Sequence, residues 1–224
     1  MLWLWIGLGL LSVILSFVIS VTLVCYHRMF HSKPRVPLKE DEYAIPDGEI
    51  YQVFREDMIR WTQMIRAYPY REYSIKSFDG LTLRAKYFEL EQGAPIELMF
   101  HGYRGNAERD LSGGVERCFR LGHSALLIDH RGSGYSDGSI LTFGILEKRD
   151  CRAWIDFAIR EFGEDAKLIL TEWLELVIDE VPMLWNFTAC LLIEHHLTEH
   201  RLIQRLIVVS RQKKGCYAVL TAAA

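Results

Sequence analysis

The sequence predicts an α/β domain, an N-terminal β-hairpin followed by a parallel βαβαβ sheet, with one membrane-spanning helix in front of it. Three observations lead there. Leu2 to Tyr26 contains no charged residue, two runs of period 2 flank Asp79-Gly80, and from Pro95 onward short apolar runs alternate with stretches of helical spacing. The chain has 224 residues, 50% of them hydrophobic, which suits one domain with an appendage.

Residues 1–26 are expected to form the transmembrane helix. At a rise of about 1.5 Å per residue the apolar run is about 37 Å long, and a hydrocarbon core of about 30 Å is crossed by that length with some tilt. Trp3 and Trp5 sit near one end and Tyr26 at the other, where interfacial aromatics belong. A cleaved signal peptide is the competing reading. It calls for a basic residue ahead of a shorter apolar run and a small-x-small cleavage site after it, and Cys25 lacks the small residues that precede a lipoprotein cysteine. Arg28, Lys33, Arg35 and Lys39 all follow the run, so the positive-inside rule places the main domain on the cytoplasmic side of a single-pass protein. The 5 cysteines, at positions 25, 118, 151, 190 and 216, contain no Cys-x-x-Cys pair. They indicate neither a disulfide framework nor a zinc site and fit a reducing compartment. A net charge of −3 offers nothing to nucleic acid as a partner.

Residues 27–70 read as a juxtamembrane linker and a helix. The linker, to residue 47, is polar and proline-bearing; Ile50, Val53, Phe54, Met58, Trp61, Met64 and Ile65 then mark one face of a helix over Ile50 to Ala67 that leans on the domain or the membrane. Tyr73 to Phe78 and Leu81 to Phe88 alternate around Asp79-Gly80, a strong hairpin signal. Ile96 to Phe100, Ser124 to Asp129 and Lys167 to Thr171 are buried-strand candidates. Between them lie a modest stripe (Val115, Cys118, Phe119) ended by Gly122 and a longer one (Cys151, Trp154, Ile155, Ala158, Ile159, Phe162) ended by Gly163. That rhythm makes a parallel sheet covered on both faces.

Two loops carry the functional signal: Phe100-His101-Gly102-Tyr103-Arg104-Gly105-Asn106, and Asp129-His130-Arg131-Gly132-Ser133-Gly134-Tyr135-Ser136-Asp137-Gly138. From Tyr73 through Thr171, under half the chain, the sequence resembles the α/β-hydrolase superfamily, and within it the membrane-anchored, serine-peptidase-like hydrolases. The resemblance implies an incomplete α/β-hydrolase-type sheet over residues 71–171 and, by lineage, a serine hydrolase acting on small-molecule ester or peptide substrates without a cofactor. It implies that the backbone N–H of Tyr103 is an oxyanion donor, with Gly102 allowing close approach and His101 and Asn106 supporting the loop; such fixed donors stabilise a developing oxyanion by about 3–4 kcal/mol each. The plainer reading of His101-Gly102 is a turn that ends a strand. Thr142-Phe143-Gly144, Glu147 and Asp150 also stand where that subfamily carries them.

The resemblance ends at Thr171. A nucleophile elbow needs Gly-x-Ser-x-Gly directly after the third parallel strand, and the chain reads Glu172-Trp173-Leu174-Glu175 instead. Gly134-Tyr135-Ser136-Asp137-Gly138 spells the motif literally, but His130 to Ser133 separate it from its strand, so Ser136 reads as a loop serine rather than a nucleophile. No segment of the tail, residues 172–224, matches the triad's acid or histidine. His196-Leu197-Thr198-Glu199-His200 has the spelling of inverted zinc peptidases, with a solvated helix face as the ordinary explanation and no third ligand evident. The basic end (Arg201, Arg205, Arg211, Lys213, Lys214) suits solvent or a membrane surface. Leu202 to Val209 is a candidate for a makeshift strand; without one the third parallel strand is an exposed apolar edge. Two readings follow: a membrane-anchored hydrolase whose C-terminal half is lost or scrambled, by frameshift, truncation or fusion, and a non-catalytic tethered binding module built on the same scaffold.

Overall fold

The computed structural model describes residues 2–32, 39, 41–45, 48–172, 206–211 and 217–221. Helix α1 spans Leu2–Phe30, and every residue before its last is exposed. It is long and apolar enough to cross a membrane. The helix runs one turn past Tyr26, so the linker begins later than the polar composition suggested.

The expected helix over Ile50 to Ala67 is two helices, α2 (Glu49–Gln52) and α3 (Arg55–Ala67). The ladder breaks at Phe54, whose ψ of 9° leaves the helical range. Val53 and Phe54 are both exposed, so no packing holds that part of the apolar stripe in register. Helix α3 does lean on the domain: Ile65 is buried, and the Trp61 indole N–H donates to Glu116 at 2.6 Å.

Strands β1 (Arg71–Lys76) and β2 (Thr82–Phe88) form the hairpin. Its turn is sealed by Gly80 N–H to the Ser77 carbonyl at 3.1 Å and by Leu81 N–H to Ser77 Oγ at 2.9 Å, with Gly80 at φ +88°. Then come β3 (Ile96–Phe100), α4 (Ala107–Arg120), β4 (Ser124–Ile128), α5 (Glu147–Phe162) and β5 (Leu168–Glu172). Strands β3 and β4 are buried at every position, as a sheet covered on both faces requires. Gly163, at φ +98°, closes α5.

The sheet order is β1-β2-β4-β3-β5-β6-β7, where β6 is Leu206–Arg211 and β7 is Tyr217–Thr221. Pairing is parallel for β4, β3, β5 and β6 and antiparallel for the hairpin, for β2 with β4 and for β7 with β6. The strand anticipated at Leu202 to Val209 thus begins at Leu206 and lies parallel to β5, so β5 is not an edge. The rest of the tail, including the Trp173-Leu174-Glu175 stretch and the His196/His200 pair, lies outside the described residues.

The core sits on both faces. One face packs Leu98, Phe100, Leu126, Ile128 and Leu170 against Trp154, Ile155 and Ala158 of α5. The other packs Phe88, Met99 and Leu127 against Ile65 of α3 and Leu111, Val115 and Cys118 of α4.

Candidate functional site

Phe100 pairs with Ile128 on one side and Glu172 on the other, so the three parallel strands end level. The loop after β3, the loop after β4 and whatever follows Glu172 therefore leave from one edge of the sheet. The hairpin turn at Phe78 to Gly80 lies at the same edge, because β2 runs antiparallel to β4.

The loop after β3 is a tight turn in which the Gly105 N–H donates to the Gly102 carbonyl at 3.0 Å. Tyr103 and Arg104 are its corners, and Arg104 takes a left-handed conformation at φ +56°. Asn106 then caps α4, its side chain accepting from the Arg109 N–H at 2.7 Å. His101 is fully buried. Its Nδ1 lies 2.8 Å from the Gly102 carbonyl and its Nε2 accepts the His130 backbone N–H at 3.1 Å. A carbonyl can only accept, so Nδ1 carries the proton and the ring is neutral. The imidazole thereby ties the first loop to the second.

Asp129 makes a second tie. One carboxylate oxygen accepts the Ala107 N–H at the start of α4 at 2.8 Å, and the other accepts the Tyr135 N–H at 3.0 Å. Gly134 is needed beside it twice over: its φ is +51°, and a Cβ there would lie 2.1 Å from the Asp129 carboxylate. Ser136 is buried, its hydroxyl donating to the Asp129 carbonyl at 2.7 Å and accepting from the Arg84 N–H at 2.8 Å. The Ser136 side chain therefore latches the loop to β2.

Arg131 is buried and held by Asp150 at 2.6 and 2.8 Å and by Asp79 at 2.9 Å. Desolvation works to lower its pKa, but the two carboxylates prevail and keep it charged. Glu147 accepts from Thr142 Oγ1 at 2.6 Å, Thr142 N–H at 2.8 Å and Gly144 N–H at 2.9 Å. Burial would raise the Glu147 pKa, yet these bonds hold it below the ordinary value. Burial also pushes the His130 imidazole below its usual pKa, against the pull of Glu147.

One contact had no sequence signal. The Tyr103 hydroxyl donates to the Met29 carbonyl and the Arg104 guanidinium to the Arg28 carbonyl, both in the last turn of α1. The Phe30 carbonyl accepts from Leu141 N–H at 2.7 Å, and Ser32 N–H donates to the Ser139 carbonyl at 2.8 Å. Tyr103 stacks on Phe143 at 4.7 Å, and Phe143 meets Phe30 edge-on at 5.4 Å. The last carbonyls of a helix have no partner within it; here the candidate site's loops supply them. The tie that Asp129 makes between the loops, and the docking turn of α1, are the parts of the site that sequence reasoning missed. Among the described residues no cluster of three or more His, Cys, Asp or Glu could hold a metal.

No family model and no curated protein matches the chain. Among solved structures it is similar to the esterase Pf2001 of Pyrococcus furiosus, at 17% identity over 58% of this chain and 47% of that one, with a TM-score of 0.44. It is similar to the α/β hydrolase GrgF of Penicillium sp. sh18, at 22% identity over 46% and 37%, TM-score 0.43. A third is Est1E of Butyrivibrio proteoclasticus, solved with ferulic acid bound, at 23% identity over 45% and 41%, TM-score 0.40. The chain spans under half the length of each. At such scores the alignments add nothing to what the sheet already says: the fold is a mixed α/β sheet with helices on both faces, behind one long apolar helix.

Proposed function

We propose that the chain descends from membrane-anchored serine hydrolases acting on ester or peptide bonds, and that this polypeptide does not itself turn over substrate. One observation carries the lineage. The loops after β3 and β4 are locked together through His101, His130 and Asp129, which sets the Tyr103 turn beside the end of β5. In that reading the Tyr103 N–H is the oxyanion donor, and the residues after β5 would carry the nucleophile. Inactivity rests on the sequence there, Glu172-Trp173-Leu174-Glu175, which has no serine, cysteine or glycine. A covalent mechanism needs nucleophile, base and orienting acid together. Ser136 is a poor substitute, since its hydroxyl is buried and bonded to backbone on both sides.

The anchor reading is favoured over a cleaved signal because residues 28–32 are bonded into the domain. With basic residues following α1, the domain is assigned to the cytoplasmic side of a single-pass protein. A second reading, a non-catalytic tethered binding module, has one observation in its favour: the tail contributes β6 and β7 to the sheet, as a finished protein's would.

A fluorophosphonate probe added to the full chain in membranes tests the activity. The expected outcome is no labelling; labelling lost on Ser136→Ala would sink the inactive reading. The coding DNA read in all three frames beyond codon 171 separates the two origins. Gly-x-Ser-x-Gly with a later aspartate and histidine in another frame identifies a scrambled hydrolase, and their absence favours the module.

A further inference from the structure

The domain exposes a set of large apolar side chains at the edge where the parallel strands end. Phe78 is 51% exposed, Ile140 44%, Phe143 36% and Ile145 66%. They come from the hairpin turn and the connection between β4 and α5, so two separate segments of chain put apolar groups on one edge. Among the described residues outside α1, the other large exposed apolar groups are Val53, Phe54, Tyr70, Leu121 and Tyr135, whose ring shares the Lys86 ammonium with Tyr70. Tyr70 and Leu121 precede β1 and β4 and so lie at the opposite edge. An apolar patch of this kind on one side of a domain calls for a partner.

The end of α1 says which partner. Its last turn is fastened to this same edge through Arg28, Met29 and Phe30, and its continuation through the His31–Ile140 bridge. A bilayer crossed by α1 ends at that turn, so its surface meets Ile140, Phe143 and Ile145 directly. Arg28, Arg104 and Arg149 are exposed around the patch, as groups at a phospholipid headgroup layer should be. Asp137, the exposed acid of the same loop, is engaged by the Thr82 N–H at 2.9 Å.

We infer that this edge is a membrane-contacting surface: the segment 139–146 and the Phe78 turn sit in the interface of the bilayer that α1 spans, and the candidate site opens onto lipid rather than onto bulk water. The inference rests on the membrane-anchor part of the reading above and does not depend on catalytic activity.

The test uses the full chain reconstituted in phosphatidylcholine vesicles containing a photoactivatable phosphatidylcholine with a diazirine at interfacial depth. After irradiation, labelled peptides are mapped by mass spectrometry. Labelling of α1 together with peptides covering 139–146 is expected, with peptides around Tyr70 and Leu121 unlabelled. The exposed pair Ile140→Ser/Ile145→Ser should lower labelling of that loop roughly tenfold while leaving α1 labelled, since apolar anchorage in the interface is what holds it there. Labelling confined to α1 would overturn the inference and leave the anchor standing. Absence of label from α1 would overturn the anchor and the inference with it.

Discussion

Asp129 holds two backbone N–H groups that have no other partner in these loops, those of Ala107 and Tyr135. Asp129→Ala should leave both unsatisfied, at about 1–3 kcal/mol each. The expected result is a markedly lower unfolding midpoint in detergent, with Asp129→Asn, which keeps one acceptor, falling between. Glu97 gives the pH dependence. It is fully buried in mid-strand and accepts from Thr171 and Arg117, with the Cys118 thiol 3.2 Å away. Burial works to raise its pKa, but these partners outweigh it and hold the carboxyl below its ordinary value of 4.5. A lowered carboxylate contributes stability that is complete above the unfolded value and is lost as pH falls through the folded one. Glu147 acts in the same direction, and His130, lowered from 6.5, begins the loss earlier because it must stay neutral when folded. Unfolding midpoints should therefore be level between about pH 7 and 8, soften below about pH 6.5 and drop steeply below about pH 4.5. Glu97→Gln should be less stable at neutral pH and show a shallower acid limb; an unchanged limb would remove Glu97 from the account.

At the scale of elements, α4 packs through adjacent glycines whose replacement should differ. A Cβ on Gly113 would lie 2.7 Å from the Trp61 ring, whereas one on Gly114 would meet only the terminal methyl and sulfur of Met99. Alanine improves helix propensity by about 1 kcal/mol at either site. The indole is rigid and hydrogen-bonded to Glu116, so Gly113→Ala should be net destabilising by about 1–2 kcal/mol through overpacking. Met99 can swing aside, and Gly114→Ala should cost less; denaturant midpoints that reverse this order would contradict the packing of α3 on α4. The elements most legible in the sequence were those set by local chemistry. Asp79-Gly80 announced the hairpin, and short, largely apolar runs announced β3, β4 and β5 to within a residue or two. The split between α2 and α3 was illegible because the apolar stripe continues through Val53 and Phe54 even though the fold leaves them exposed. Residues that act through backbone partners were equally silent: nothing periodic marks Tyr103 as a cap for α1.

For the whole molecule, the α/β sheet and the two loops at its edge followed from runs and motifs that each span only a few residues. The joining of helix to domain did not, because it is made by side chains meeting carbonyls far away in the chain. In the anchored reading proposed above, that junction makes the domain's attitude a property of the helix. A helix longer than the hydrocarbon it crosses relieves the mismatch by leaning, and a domain clamped to its final turn must lean with it. Membrane thickness then becomes a variable of the candidate site: short-chain lipids would roll the sheet edge one way against the surface and long-chain lipids the other. Two compartments differing only in acyl chain length would present the same polypeptide at two different angles.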